Sequence, residues 1–360
     1  LDDIEGFLKK KYPDEFFIKA QEKVGIDFFT KKLIYGENFT FVKYGDGEII
    51  CMIGGKGKNC DDHPYSKKLG NLLEQSFVKL LRNYDDVYLA EWVDNLVKTR
   101  ESYLNANNWG QSAFDLGDHL SDIFSTTTVG GRGQSAVSTA GAAWECLITW
   151  YLNLIFWDTK VVVLKQSKKF VPESIRNCLT VTISNVSTNT ESDIVIFSVP
   201  DQHLLSGSTT KDLNDHLLNR INQVDLFVLQ CKTNWEDNAQ IPMLWDMIYN
   251  SQSRLPNVSI GIQGLSPQSV NNFKYGFATV PTGPRGNFVK TDSVKVLRVK
   301  NLTGGNYWGK ATQQHLATSI KELPSRHFPS VFQGSIANHL SRIHNSQNHM
   351  IQKFLDLNFE

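Results

Sequence analysis

Gln230 and Lys232 stand two residues apart at the end of an apolar run, Leu226 to Leu229, in "LFVLQCKTNWEDNAQ". In a strand that spacing puts both side chains on one face. A lysine ending a buried strand is costly unless it has a partner or a task. Asp193 opens a second apolar run, "SDIVIFSVP", and Glu145 lies in a third, "AAWECLITWYLNLIFW". Phosphodiester hydrolysis uses a hard divalent cation held by oxygen ligands, together with a cationic group that orients water or offsets developing charge. An acid on a helix, an acid on a strand and a strand Gln-x-Lys supply those types. A neutral amide such as Gln230 can ligate a cation but compensates no charge. Glu191, two residues before Asp193 and so on the same face, is the expected helper, with the Cys231 carbonyl as a further oxygen. Asp225 is a rival for the strand acid, but it lies five residues from Gln230, and the odd spacing turns it to the other face. Taken singly, each residue has a plain reading: a solvated strand end for Lys232, a helix-surface ion pair for Glu145, a turn for Asp193 in Thr-Glu-Ser-Asp. Their occurrence together, in this chain order, favours a site.

The elements that must hold these residues follow from hydrophobic periodicity. "AAWECLITWYLNLIFW" predicts a long helix; "TKVVVLKQ", "LTVTISN", "SDIVIFSVP" and "VDLFVLQCK" predict strands. "LNDHLLNRIN" and "AQIPMLWDMIYNSQ" predict helices, the second with Pro in its first turn. "SIGIQG", "FATVP" and "VKVLRVK" predict further strands before a helical C-terminus. Strands alternating with helices from 143 to 330 imply α/β class, a mixed central β-sheet flanked by helices. Upstream, residues 1 to 35 read as one or two amphipathic helices. "NFTFVKYGDGEIICMIGG" alternates and turns at Gly45-Asp46-Gly47, residues 68 to 82 read as helix, and "DDVYLAEWV" reads as a strand. The texture becomes polar and Asn/Ser/Thr-rich near 105, which suggests a smaller α/β region over 1–104 and a second domain over 105–360.

Bulk composition narrows the classes. Lys and Arg together number 37, as do Asp and Glu, so the neutral chain is not a general polycation coat. The five cysteines (Cys51, Cys60, Cys146, Cys178, Cys231) form no C-x-x-C pair, which reads as a reduced, cytoplasmic protein without a zinc knuckle or disulfide framework. No apolar run approaches the roughly 18 residues needed to span a bilayer, and the start "LDDIEGFLKKKYPDE" has no signal-peptide core, so no membrane is expected. Locally the balance shifts. Residues 274 to 310 hold seven cations, Lys274, Arg285, Lys290, Lys295, Arg298, Lys300 and Lys310, against one acid, Asp292. Such a field suits a phosphate backbone.

The blocks "GRGQSAVSTAGAAWECLITWYLNL", "NTESDIVIF", "LQCKTNWEDNAQIPMLWDMIY", "YGFATVPT" and "LTGGNYWG" resemble those of type II restriction endonucleases of the PD-(D/E)xK superfamily, over residues 105–360. The resemblance implies a restriction-endonuclease-like core that cuts double-stranded DNA at specific sequences with Mg²⁺. It makes Asp193 the metal-binding aspartate, puts Gln230 at the usual Glu/Asp position, and makes Lys232 the catalytic lysine and Glu145 the helix acid. Cutting both strands of a palindrome would call for a twofold homodimer. Gln230 departs from the pattern.

A second signal lies upstream. "FVKYGDGEIICMIGGKGKNCDDHPYSKKLGNLLEQSF" resembles the first half of a GT-D type glycosyltransferase domain, over residues 36–104, with Asp46 and Glu48 as a D-x-E metal motif for a nucleotide-sugar donor. The second half of that domain is not visible. A remnant, a fusion of unrelated pieces and simple Gly-Asp-Gly turn chemistry remain open. Glycosyl transfer through Asp46 and Glu48 is the alternative function; an inactive DNA-binding protein, suggested by the neutral Gln230, is another.

Overall fold

The structure, a computed structural model, describes residues 39–45, 48–53, 102–125, 134–165, 171–188, 192–202, 210–233, 257–280, 291–300 and 302–345. The helices expected over 1–35 and 68–82, the strand "DDVYLAEWV" and the helix "AQIPMLWDMIYNSQ" lie outside these residues. Among the described residues no helix is long and apolar enough to cross a membrane.

The chain runs β1 (Phe39–Gly45) and β2 (Glu48–Ile53), then α1 (Trp109–Asp115), α2 (Leu120–Ser125), α3 (Gln134–Ile155), β3 (Val161–Lys165), α4 (Glu173–Leu179), β4 (Val181–Ile183), β5 (Val186–Thr188), β6 (Ile194–Ser198) and α5 (Thr210–Asn219). It continues through β7 (Asp225–Lys232), β8 (Val258–Ile260), β9 (Asn272–Thr279), α6 (Val294–Lys300), β10 (Gly305–Trp308), β11 (Thr318–Ser319), α7 (Leu323–His327) and α8 (Ile336–Asn345). β1 and β2 pair as an antiparallel hairpin, with Gly45 opposite Glu48. The central sheet has the order β11-β10-β9-β7-β6-β3. Its β3–β6 and β6–β7 pairs are antiparallel, whereas β7–β9, β9–β10 and β10–β11 are parallel. The protein is therefore mixed α/β, with a mixed sheet flanked by helices.

Both sheet faces are covered, so the central strands read as continuous apolar runs rather than alternating ones. On one face Val161, Val163, Ile194, Ile196, Phe227, Leu229 and Cys231 pack with Trp144, Ile148, Tyr151 and Ile155 of α3. On the other, Val162, Leu164, Val195, Phe197, Leu226 and Val228 pack with Ile175 of α4, Leu213 and Leu217 of α5, and Val296 and Val299 of α6. Beside this lies a small antiparallel sheet, β5-β4-β8. Ser184 and Asn185, at φ 47 and φ 70, make the tight turn between β4 and β5. Left-handed backbone at both central residues matches the strand twist, and Asn tolerates it.

One expectation changes. "VKVLRVK" is the helix α6, not a strand. Val296 and Val299 are buried at a spacing of three while Val294 and Leu297 are exposed, so one helical face packs. A covering segment is also what the parallel β9–β10 pair requires, since parallel neighbours need a crossover. The polar-looking segment after 105, to which the sequence assigns no element, holds α1 and α2; Ala113 of α1, Leu116 between them, and Leu120, Ile123 and Phe124 of α2 are buried at helical spacings.

The last third of the chain is tied to α1 by charge. Lys321 Nζ donates to Asp115 Oδ1 at 2.7 Å and to Asp118 Oδ2 at 2.5 Å, and lies 5.4 Å from the Phe114 ring centre. Ser319 Oγ donates to Asp118 Oδ1 at 2.5 Å. Burial disfavours the Lys321 ammonium, but its hydrogen bonds to Asp115 and Asp118 outweigh that and raise its pKa. The contribution of this cluster is thus fully present at neutral pH and fades only as pH climbs through that raised value. Lys321→Met leaves two neighbouring carboxylates without their cation. Partial exposure screens the loss below that of a fully buried pair, so about 2 kcal/mol is expected, read as a lower urea midpoint. An unchanged midpoint would show that the cluster adds nothing.

Candidate functional site

The ends of β3, β6, β7, β9 and β10 meet at one edge of the central sheet. Lys165 pairs with Ile194, Ile194 with Leu229, Lys232 with Thr279, and Thr279 with Trp308. Asp193 precedes Ile194 and so stands beside Gln230. Its Oδ2 accepts the Cys231 backbone N–H at 2.7 Å. The carboxylate thus extends the β6–β7 ladder by one acceptor where β6 has ended. A backbone N–H that would otherwise lack a ladder partner is satisfied by a charge-assisted bond.

The three residues 230 to 232 are held on three sides. Asp193 grips Cys231 from β6. From the other side the Val280 N–H donates to the Lys232 carbonyl at 3.2 Å. Underneath, the Tyr275 hydroxyl donates to Gln230 Oε1. Gln230 is 0% exposed, and its Nε2 is buried without a hydrogen-bond partner among the described residues. Lys232 is half-buried; among the described residues its ammonium has no ion-pair partner. Asp193 is also half-buried, and Cys231 is buried and in no disulfide.

Of the other expected residues, Asp225 lies at the far end of β7, where its N–H donates to Ser198 Oγ at 2.9 Å and its Oδ1 accepts from Asn271 Nδ2 at 2.7 Å. It is seven residues from Lys232, roughly 23 Å along a strand, which leaves Asp193 as the acid beside Gln230-x-Lys. Glu145 follows Trp144, whose indole N–H points to the Ala278 carbonyl at 3.5 Å, and Ala278 pairs with Cys231. Glu145 is therefore level with the site, but its helix packs on the Cys231 face and not on the Gln230 face. Glu191, Arg285, Lys290 and Asp46 lie outside the described residues, as do the side chains of Lys295 and Glu48.

Of the expected DNA-binding cations, four have described side chains, Lys274, Arg298, Lys300 and Lys310, and they sit on different elements. Lys274 pairs with Phe227, five positions from the Lys232–Thr279 pair and so roughly 17 Å away. Arg298 is half-buried and Lys300 exposed on α6. Lys310, two residues past Trp308, lies at the Lys232 end of the sheet, 3.7 Å from Asp122. Neighbouring Gly309 lets α2 approach: a Cβ there would stand 2.5 Å from the Ser121 backbone nitrogen.

As to a cation, the half-buried Asp193 carboxylate and nearby backbone carbonyls suit a hard divalent ion. Gln230 as placed does not: its oxygen takes the Tyr275 proton, and its nitrogen is a donor. Among the described residues no three His, Cys, Asp or Glu side chains gather as a metal cluster.

One strongly shifted group escapes the sequence reading. His327 Nε2 lies 3.0 Å from the Gly304 carbonyl and 2.8 Å from the Tyr307 hydroxyl, with its ring 4.7 Å from that of Phe227. Burial lowers its pKa to about 4, helped by Lys274 and Arg326 against the Gly304 carbonyl. It is a neutral core histidine whose partners come from distant segments, and a single His in "SRHFPS" carries no signal for it.

What the fold and this edge define is a mixed α/β protein with an acid and a lysine brought together at the ends of adjoining strands. No protein-family model matches the chain, and a search of the curated proteins finds no match.

Two outcomes follow. Asp193→Ala should cost about 1–2 kcal/mol in urea unfolding by stranding the Cys231 N–H, while Asp193→Asn keeps an acceptor and should cost less; equal losses would mean the bond is not what matters. Because the His327 pKa is depressed, the unfolded chain takes up its proton first as pH falls. Stability should therefore be complete above about pH 6.5 and drop by up to about 3 kcal/mol towards pH 4. His327→Gln should flatten that slope in denaturation measured across pH.

Proposed function

We propose that the chain is a type II restriction endonuclease of the PD-(D/E)xK kind, hydrolysing phosphodiester bonds of double-stranded DNA at a specific sequence in a Mg²⁺-dependent reaction. The observation that carries this reading is the Asp193–Cys231 bond, which sets the strand acid beside Gln230-Cys231-Lys232 in the chain order the restriction-enzyme pattern has. Asp193 and the Cys231 carbonyl would hold the cation, with Glu191 as the expected second acid. A bound divalent ion supplies Lewis-acid stabilisation of charge at phosphorus.

The protein's own residues carry the rest. Lys232, its stem supported by the buried Gln230 on the same face, presents an ammonium to the attacking water and the developing phosphorane charge. Water attacks phosphorus in line, one P–O bond forms as the bond to the leaving oxygen breaks, and the proton passes to solvent. Lys310 at the same edge contributes to the backbone field, and a twofold pair of chains would cut both strands. The cytoplasm is the compartment this activity needs.

The glycosyltransferase alternative rests on Asp46 and the Glu48 side chain, which lie outside the described residues; the strands on either side of them pair as a hairpin.

Incubation with phage DNA and Mg²⁺, with and without EDTA, should give discrete, EDTA-sensitive bands. Smears would indicate an unspecific nuclease, and intact DNA would return the inactive DNA-binding protein. Lys232→Ala should lower cleavage roughly 10²- to 10³-fold while gel-shift affinity stays within a few-fold; cleavage at the parent rate sinks the assignment.

A further inference from the structure

Resting on that nuclease reading, we infer that Gln230 is not a metal ligand but, together with Tyr275, a positioning pair that fixes the end of β7 and aims Lys232. Four observations converge on it. Gln230 is wholly enclosed, at 0% exposure, so a cation that retains part of its water shell has no room against it. Its oxygen, the one atom able to ligate, already accepts the Tyr275 hydroxyl. Its nitrogen is buried without a partner among the described residues and can only donate. Its neighbours on the sheet face are those of a core position: Val228 before it on β7, and Phe277 opposite it on β9.

Tyr275 stands two residues before Phe277 on the neighbouring parallel strand, opposite Val228. Its hydroxyl reaches forward along the sheet to the Gln230 amide and bridges β9 to the last turn of side chains before Lys232. With Asp193 on the Cys231 N–H and Val280 on the Lys232 carbonyl, this leaves the strand end few ways to shift. A side chain two residues on then inherits a fixed starting direction. A neutral amide suits that task better than the carboxylate usual here. It accepts the phenol's proton without burying a charge, which an uncompensated carboxylate at 0% exposure would do.

The test uses the full chain with Gln230→Glu, Gln230→Met and Tyr275→Phe, and has three readouts. Mn²⁺ binding followed by the loss of the free-ion EPR signal should stay within about twofold of the parent in all three. The DNA cleavage rate constant at saturating Mg²⁺ should fall at least tenfold in Tyr275→Phe and Gln230→Met, with unchanged half-saturation by metal. In a Lys232→Ala background Tyr275→Phe should cost nothing further, because it acts through that lysine. The labelling rate of the Lys232 amine by acetic anhydride, read by mass spectrometry, should change at least threefold in the same two variants. A tenfold loss of Mn²⁺ affinity in Gln230→Met, or a tenfold gain in Gln230→Glu, would make Gln230 a ligand and overturn the inference. So would parent-like labelling in Tyr275→Phe. If Tyr275→Phe does not fold, the two Gln230 variants decide by the same criteria. Failure of the parent to cut DNA would sink the nuclease reading, and the Mn²⁺ and labelling arms would still decide the role of Gln230.

Discussion

Coverage of the central sheet on both faces is the constraint from which the rest follows. With helices packed above and below, polar side chains inside the strands have no water to turn to, and each must find a partner or leave for a strand end. The consequence is visible along β7. Leu226 to Leu229 are sealed between two apolar layers, and chemistry resumes only where the strand runs out. There the antiparallel β6 stops three residues short of the end of β7, and a carboxylate takes over the role of a ladder carbonyl. An acid placed this way does the work of a backbone carbonyl while carrying a charge that no carbonyl has.

Legibility from sequence follows the same division. Strands β3, β6 and β7 and the long helix α3 announce themselves because full burial leaves an uninterrupted apolar run. The hairpin at residues 39 to 53 is read from alternation and Asp-Gly. The pairing of Asp193 with the 230–232 stretch is legible because it needs only parity along two strands. What is not legible depends on distant partners. Tyr275 is 45 residues from Gln230, and nothing near Gln230 says that a phenol will occupy its amide. The heptapeptide Val294–Lys300 alternates well enough for a strand; only the need to cover a parallel pair makes it a helix. Composition likewise misleads after residue 105, where apolar spacing within a polar segment is the better guide to α1 and α2.

The cationic stretch from 274 to 310 shows how a linear charge count differs from a surface. The half-buried Lys274 adds to the burial that lowers the His327 pKa, while Lys310 sits at the sheet edge beside Asp122. Among the described residues, a strand, a crossover helix and a second strand set Lys274, Arg298, Lys300 and Lys310 on different elements, so neighbours in sequence are not neighbours in space.

The tie between Lys321 and Asp115 spans 206 positions of the chain, and the stacking of Trp109 on His344 closes a still longer span. Closing so large a loop in an unfolded chain is entropically unfavourable, and neither contact is strong enough to do it alone. Both become possible only once the sheet has brought the two ends near each other. The two contacts therefore register that the sheet between them is in place rather than bringing it together.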